Sequence, residues 1–141
     1  MAREESEELG ALLSQLLSLV VEREAPILEA HGVTMWEYVI LSRLWGEPGL
    51  TQKELATRTR RDPTRLIGHL DALGDRQLIV RVVDEADRRR RMVELTDEGR
   101  TLVRAARRDI RKMEGDLLGA LPADEQNTLR DALALVLRRN E

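Results

Sequence analysis

The stretch Thr51-Gln52-Lys53-Glu54-Leu55-Ala56-Thr57-Arg58-Thr59-Arg60-Arg61-Asp62-Pro63-Thr64-Arg65-Leu66-Ile67-Gly68-His69-Leu70-Asp71-Ala72-Leu73 contains two helix starts in close succession. Thr51 and Glu54 have the spacing of a Thr-x-x-Glu capping box, and Leu50 and Leu55 have the spacing of its hydrophobic staple. Asp62-Pro63 is a second start of another kind. An acid caps the helix, and a proline with its missing N–H and fixed φ suits the first helical position. The first helix is therefore short, about Thr51 to Thr59. In the second, Leu66, Leu70 and Leu73 recur at i, i+4 and i+7 and, with Ile67, mark the buried side. Two short helices a few residues apart, the second strongly capped, predict a helix-turn-helix.

Beyond Leu73 the period changes. Leu78, Val80 and Val82 alternate with Ile79, Arg81 and Val83, and Met92, Val93 and Leu95 form a second β-like run. Asp84-Glu85-Ala86-Asp87-Arg88-Arg89-Arg90 lies between them, so the pattern reads as a β-hairpin with a basic tip. Thr96 is placed to cap a long helix through Leu102, Val103, Ala106, Ile110, Met113 and Leu117. A last helix starts around Pro122-Ala123-Asp124, with Leu129, Ala132, Leu133, Val136 and Leu137 on one stripe.

On the N-terminal side, apolar residues at 9, 12, 13, 16, 17, 20, 27 and 28 predict an amphipathic helix that Pro26 bends or ends. His31-Gly32-Val33 is a connector. Thr34 and Glu37 then form a capping box, with Val33 and Tyr38 as its staple, and the helix stops near Gly46-Glu47-Pro48-Gly49. The expected fold class is mainly α with a small β-hairpin wing. It is a single domain over residues 1–141, with a winged helix-turn-helix at 34–99 and flanking dimerisation helices at 1–31 and 100–141. The terminal stripes are wider than a lone winged domain covers, which points to a homodimer.

With 141 residues, 42% of them hydrophobic and 35% charged, the chain suits one soluble helix-rich domain rather than a disordered one. No apolar run approaches the roughly 20 residues that span a bilayer. The acidic start Met1-Ala2-Arg3-Glu4-Glu5 lacks a secretory apolar region, so no membrane role and a cytoplasmic location are expected. Without cysteine there is no disulfide framework, thiolate metal site or thiol sensor. The net charge of −3 is unevenly spread. Residues 51–91 hold eleven basic and seven acidic side chains, whereas residues 1–30 hold two and seven. A basic middle is what a module needs to meet phosphate with one surface, although charge alone fits a solvated face equally well.

On the helix that starts at Asp62, Thr64, Arg65, Gly68 and His69 lie away from the leucine side. Arginine can grip guanine bidentately, threonine can bond a phosphate or touch a thymine methyl, and Gly68 lets backbone approach closely. Arg88-Arg89-Arg90 at a hairpin tip suits the minor groove, where negative potential concentrates. Thr51 and Pro63 at the helix starts, and Asp87 at the tip, complete the expected DNA-binding set. Each feature alone is also an ordinary solvated face. A helix-turn-helix followed at once by a basic hairpin favours double-stranded DNA as the partner.

An enzyme is the contrasting class, but there is no Gly-rich phosphate loop or nucleophile elbow, and His31 and His69 are far apart in sequence. No His, Asp and Glu residues fall at metal-ligand spacing, and no cofactor is expected. A purely protein-binding helical module is the stronger rival, yet it has no need of the basic hairpin.

The segment Asp87-Arg88-Arg89-Arg90-Arg91-Met92-Val93-Glu94-Leu95-Thr96-Asp97-Glu98-Gly99-Arg100 resembles the MarR (multiple antibiotic resistance regulator) family pattern of Asp-x-Arg, a short strand, then Leu-Thr-x-x-Gly. Asp62 to Leu73 and Val33 to Leu41 are also similar to that family, and the order of elements agrees over nearly the whole chain. The resemblance implies a dimer with intertwined terminal helices on a palindromic site. It also implies regulation, usually repression, often relieved by a small aromatic or phenolic effector. His31, Trp36 and Tyr38 lie close to where relatives form their pocket and are the ligand-binding candidates. Trp36 suits the core equally well, Tyr38 is better read as the staple, and His31 as a connector. The family's Asp-x-Arg pair implies that Asp87 orients Arg89. Gly68 departs from the longer polar or basic residue of many relatives, and Gln77 stands where the family usually has glycine. The lack of cysteine excludes the thiol mechanism of the peroxide-sensing branch.

Overall fold

The structure is a computed structural model that describes residues 7–141. The acidic start Met1–Glu5 lies outside the described residues. The elements are α1 (Leu9–Ala30), α2 (Met35–Gly46), α3 (Gln52–Thr59), α4 (Pro63–Asp75), β1 (Ile79–Val83), β2 (Arg91–Leu95), α5 (Asp97–Leu117) and α6 (Ala123–Arg139). This is the mainly helical winged helix-turn-helix that the capping signals predicted.

The helix starts follow from those signals. Thr34 Oγ1 accepts from the Glu37 amide at 3.2 Å and Glu37 Oε1 accepts from the Thr34 amide at 2.9 Å, a complete capping box. Asp62 accepts from the Arg65 amide at 3.2 Å at the start of α4, and Thr96 accepts from the Gly99 amide at 3.0 Å at the start of α5. At α3 only half the expected box forms. Thr51 Oγ1 accepts from the Glu54 amide at 3.1 Å, while the Glu54 carboxylate instead takes a hydrogen bond from Arg90 at 2.9 Å. An arginine brought in by the hairpin outcompetes a neutral amide for that carboxylate, because charge-assisted bonds are the stronger ones. Pro26 does not end α1, which continues to Ala30.

Contacts divide the described residues into two compact units, one formed by residues 7–24 with 109–141, the other by residues 25–108. In the second, Ile40 and Leu41 of α2, Leu55 of α3, and Leu66, Leu70 and Leu73 of α4 are buried together with Val93 and Val103. Each such side chain contributes about 1.5–3 kcal/mol by leaving water. Ile67 is exposed and does not share the leucine side. One residue is a turn of about 100° about a helix axis, which carries Ile67 off the stripe begun by Leu66. The hairpin pairs Ile79 with Leu95 and Arg81 with Val93. Its inner face is therefore Ile79, Val93 and Leu95, while Val80 is exposed on the other. An isolated bridge from Thr51 to Met92, with the Val93 amide donating to Leu50 O at 2.9 Å, ties the chain before α3 to β2.

In the first unit, Gln126 Nε2 donates to the carbonyls of Leu118 and Leu121 at 3.1 and 3.0 Å and ties α6 to the turn before it. Arg130 pairs with Glu114 at 3.4 Å. No residue of α6 is buried, and Leu133, Val136 and Leu137 stand exposed, as do Leu9, Leu12, Leu13 and Leu17 of α1.

Candidate nucleic-acid interface

The unit formed by residues 25–108 contains the residues expected to face DNA. At the start of α4, Pro63, Thr64, Arg65 and Gly68 are exposed. Leu66, Leu70 and Leu73 hold the opposite side in the core, so these residues are turned outward by helical geometry. A Cβ built on Gly68 would meet nothing within 4 Å, so packing does not require glycine there. The partial positive charge at the helix N-terminus favours anions.

His69, a turn further on, is half-buried, and its Nε2 lies 3.3 Å from Arg61 Nη2. The Arg61 guanidinium in turn lies 4.0 Å above the ring of Trp36. Trp36 is thus covered by an arginine. Tyr38 is half-buried on α2, and His31 is half-buried in the connector before it. An open cavity of about 380 Å³ beside this connector is lined by Ala25, Leu28, Gly32, Val33 and Met35 among others, and by none of these three residues.

The wing tip is ordered by its acids. Asp84 Oδ1 accepts from the Ala86 amide at 2.9 Å, and the Asp84 amide donates to Arg90 O at 3.0 Å. Asp87 Oδ1 accepts from the Arg89 amide at 3.1 Å, and Asp87 O accepts from the Arg90 amide at 2.9 Å. The ion pair of Asp87 with Arg89 Nε is longer, 3.8 Å, and the Arg89 side chain is 96% exposed. Asp87 therefore shapes the backbone turn first and touches the guanidinium second. Arg88 is exposed and has no ion pair among the described residues. Arg90 bridges to Glu54 of α3, and Arg81 bridges to Asp71 of α4 at 2.7 Å, so the hairpin is tied to both helices of the helix-turn-helix. Thr51, Lys53, Glu54, Arg89, Arg90 and Arg91 border an open groove of about 500 Å³ between the start of α3 and the wing.

Sequence reasoning missed Glu54 as an anchor of the wing, Arg61 as the link from Trp36 to His69, and the Arg81–Asp71 tie. Each joins residues at least eight positions apart, and no local pattern marks them.

A helix-turn-helix with an outward, capped second helix beside a basic hairpin defines a winged-helix DNA-binding regulator. The chain belongs to the MarR family. The MarR family model matches residues 33–90. The transcriptional regulator HosA of Escherichia coli O157:H7 is 32% identical over 98 residues, which cover 70% of this chain and 73% of HosA. The HTH-type transcriptional repressor Rv2887 of Mycobacterium tuberculosis H37Rv is 28% identical over 125 residues, 89% of this chain and 90% of that protein. The structure of Rv2887 in complex with DNA superposes with a TM-score of 0.80 at 26% identity, over 93% of this chain and 98% of that one. The repressor CouR bound to a 23-mer DNA duplex gives 0.80 at 30% identity, over 96% of each chain. CouR of Rhodococcus jostii RHA1 bound to p-coumaroyl-CoA gives 0.78 at 28% identity, over 96% of this chain and 95% of that one. The protein is a transcriptional regulator that binds DNA. Among the described residues no helix is long and apolar enough to cross a membrane, and no three His, Asp or Glu side chains are grouped to hold a metal ion.

Proposed function

We propose that the protein is a cytoplasmic repressor acting as a homodimer on a palindromic operator. The outward face of α4 reads bases in the major groove, with Arg65 and His69 as its principal side chains, Thr64 beside them and Gly68 leaving room for close approach. Thr51 and Pro63 meet phosphate at the starts of α3 and α4. The wing, with Arg88, Arg89 and Arg90 ordered by Asp87, lies in the adjacent minor groove. The observation that carries this reading is the placement of the exposed Arg65 face and the basic wing in one compact unit, tied together by the Arg90–Glu54 and Arg81–Asp71 bridges.

A small aromatic or phenolic effector releases the operator. Support comes from the p-coumaroyl-CoA bound to CouR and from the apolar cavity at Leu28, Val33 and Met35, whose lining includes the immediate sequence neighbours Gly32 and Met35 of the candidates His31 and Trp36, while Tyr38 is the third candidate.

Binding isotherms of Arg65→Ala test the readout, using a duplex selected by the protein from a random pool and a scrambled duplex of equal length. Losing a bidentate base contact removes about 1–3 kcal/mol, so roughly tenfold weaker binding is expected on the selected duplex with little change on the scrambled one. Equal weakening on both would reassign Arg65 to the phosphate backbone.

A further inference from the structure

Arg61 is in the turn between α3 and α4, outside the set of residues to which DNA contacts were assigned. Its guanidinium is stacked 4.0 Å above Trp36 of α2, and its Nη2 is 3.3 Å from His69 Nε2 on α4. Its Nε is buried and has no hydrogen-bond partner. The side chain has thus given up water along one edge, and stacking on the indole face is what the structure supplies in return. His69 Nδ1, by contrast, has no partner among the described residues, and the ring is only half-buried.

We infer that Arg61 is a positioning residue for readout by α4, holding His69 as the neutral tautomer with its proton on Nδ1, so that the helix presents a hydrogen-bond donor at this position. The inference rests on the reading of α4 as the DNA-reading helix. A guanidinium has five N–H donors and no acceptor. At 3.3 Å from it, Nε2 must accept, and a neutral imidazole that accepts at one nitrogen donates at the other. A doubly protonated ring would set a second cation against Arg61 with no acceptor between them. A donor at Nδ1 matches guanine O6 and N7, adenine N7, thymine O4 or a phosphate oxygen, and it is mismatched to the cytosine amino group. His69 lies one turn after Arg65 on the same side of α4, so the two make adjacent donor positions.

The tautomer is testable in the intact protein by long-range ¹⁵N–¹H correlation of the imidazole. The expected result is the Nδ1–H pattern for His69 in the wild type, lost in Arg61→Leu. On the duplex selected from a random pool, His69→Leu should bind about tenfold more weakly, with little change on scrambled DNA. Arg61→Leu should show the same selective loss, and the double variant should be no weaker than either single one. An Nε2–H or cationic pattern in the wild type would overturn the inference without any variant having to fold. So would an Arg61→Leu protein that weakens equally on both duplexes with a salt slope reduced by about one, because Arg61 would then be a phosphate contact itself. Wild-type protein that failed to distinguish selected from scrambled DNA would overturn the α4 reading, and the readout role with it, while leaving the tautomer pattern in place.

Discussion

Gln77 turns the chain out of α4 toward the wing with φ +60°, a left-handed conformation that costs an L-residue roughly 1–2 kcal/mol. Its amide donates to Gly74 O at 2.9 Å and its carbonyl accepts from Thr96 at 2.7 Å, so the turn is held from both sides. Gln77→Gly should relieve the backbone strain and raise the melting temperature, by less than about 1 kcal/mol of stability because glycine also loosens the unfolded chain. A lower melting temperature would show that the glutamine side chain contributes something the backbone does not explain. At Gly99 the constraint runs the other way. A Cβ there would collide with the carbonyl oxygen of Leu78, a backbone atom at the base of the wing, so Gly99→Ala should destabilise by about 2 kcal/mol or more in a thermal or urea melt. Glu24 carries a pH signature. Burial first, and the Glu114 carboxylate second, raise its pKa above the ordinary 4.5, while Arg130 pairs with Glu114. The folded state therefore holds this proton more tightly than the unfolded one. Its stabilising contribution is complete below the ordinary value and is lost as pH rises through the raised one. Glu24→Gln should accordingly stabilise the protein at neutral pH and lose that advantage below about pH 4, seen by comparing melts across the range. A constant difference at every pH would contradict the cause assigned here.

The helices obey their caps, and most of those were legible as Thr-x-x-Glu, Asp-Pro or a lone threonine because capping acts within four residues. The wing is different. Its tip depends on Asp84 and Asp87 as turn acceptors and on Glu54, thirty-six residues before Arg90, as an anchor. Acids beside a loop proposed to meet DNA repel phosphate, and removing Asp87 or Glu54 raises the local positive charge. Simple electrostatics then expects tighter binding. If the ordering of the tip dominates, Asp87→Ala and Glu54→Gln should each weaken binding to the selected duplex severalfold. Immobilising each long side chain costs about 0.5–1.5 kcal/mol when it is not already held. Both pairs are exposed, so the melting temperature should barely move. Isotherms at two salt concentrations alongside thermal melts make the comparison, and tighter binding by either variant would show that charge outweighs order at that position.

At the scale of the molecule, the apolar faces of α1 and α6 are left exposed by the described residues. Leu9 is 68% exposed and Leu137 66%, and many large apolar side chains lie along the same two helices. The proposed homodimer would cover these faces with a second copy of the same helices, since large exposed apolar surface is what an interface buries. Sedimentation of the full chain should give a dimer at the lowest measurable concentration. Deleting residues 1–30 should yield an unstable or aggregating product, because it removes the apolar face of α1 together with the buried Leu28. A folded, DNA-binding monomer after that deletion would refute the dimer.

The sequence by itself determined the elements, their order, the capped starts of α2, α4 and α5, the leucine side of α4 and the basic hairpin. All of these rest on interactions between near neighbours, whose periodicity is written in the chain. Only the tertiary structure decided that Glu54 leaves its capping box for Arg90, that Ile67 faces outward, and that Ile79 rather than Val80 faces the core. It also decided that Trp36 is covered by Arg61 and linked through it to His69. Those outcomes depend on which distant groups folding brings within hydrogen-bonding or stacking distance. There a charged or better-packed partner displaces the local one, and residue spacing holds no record of that competition.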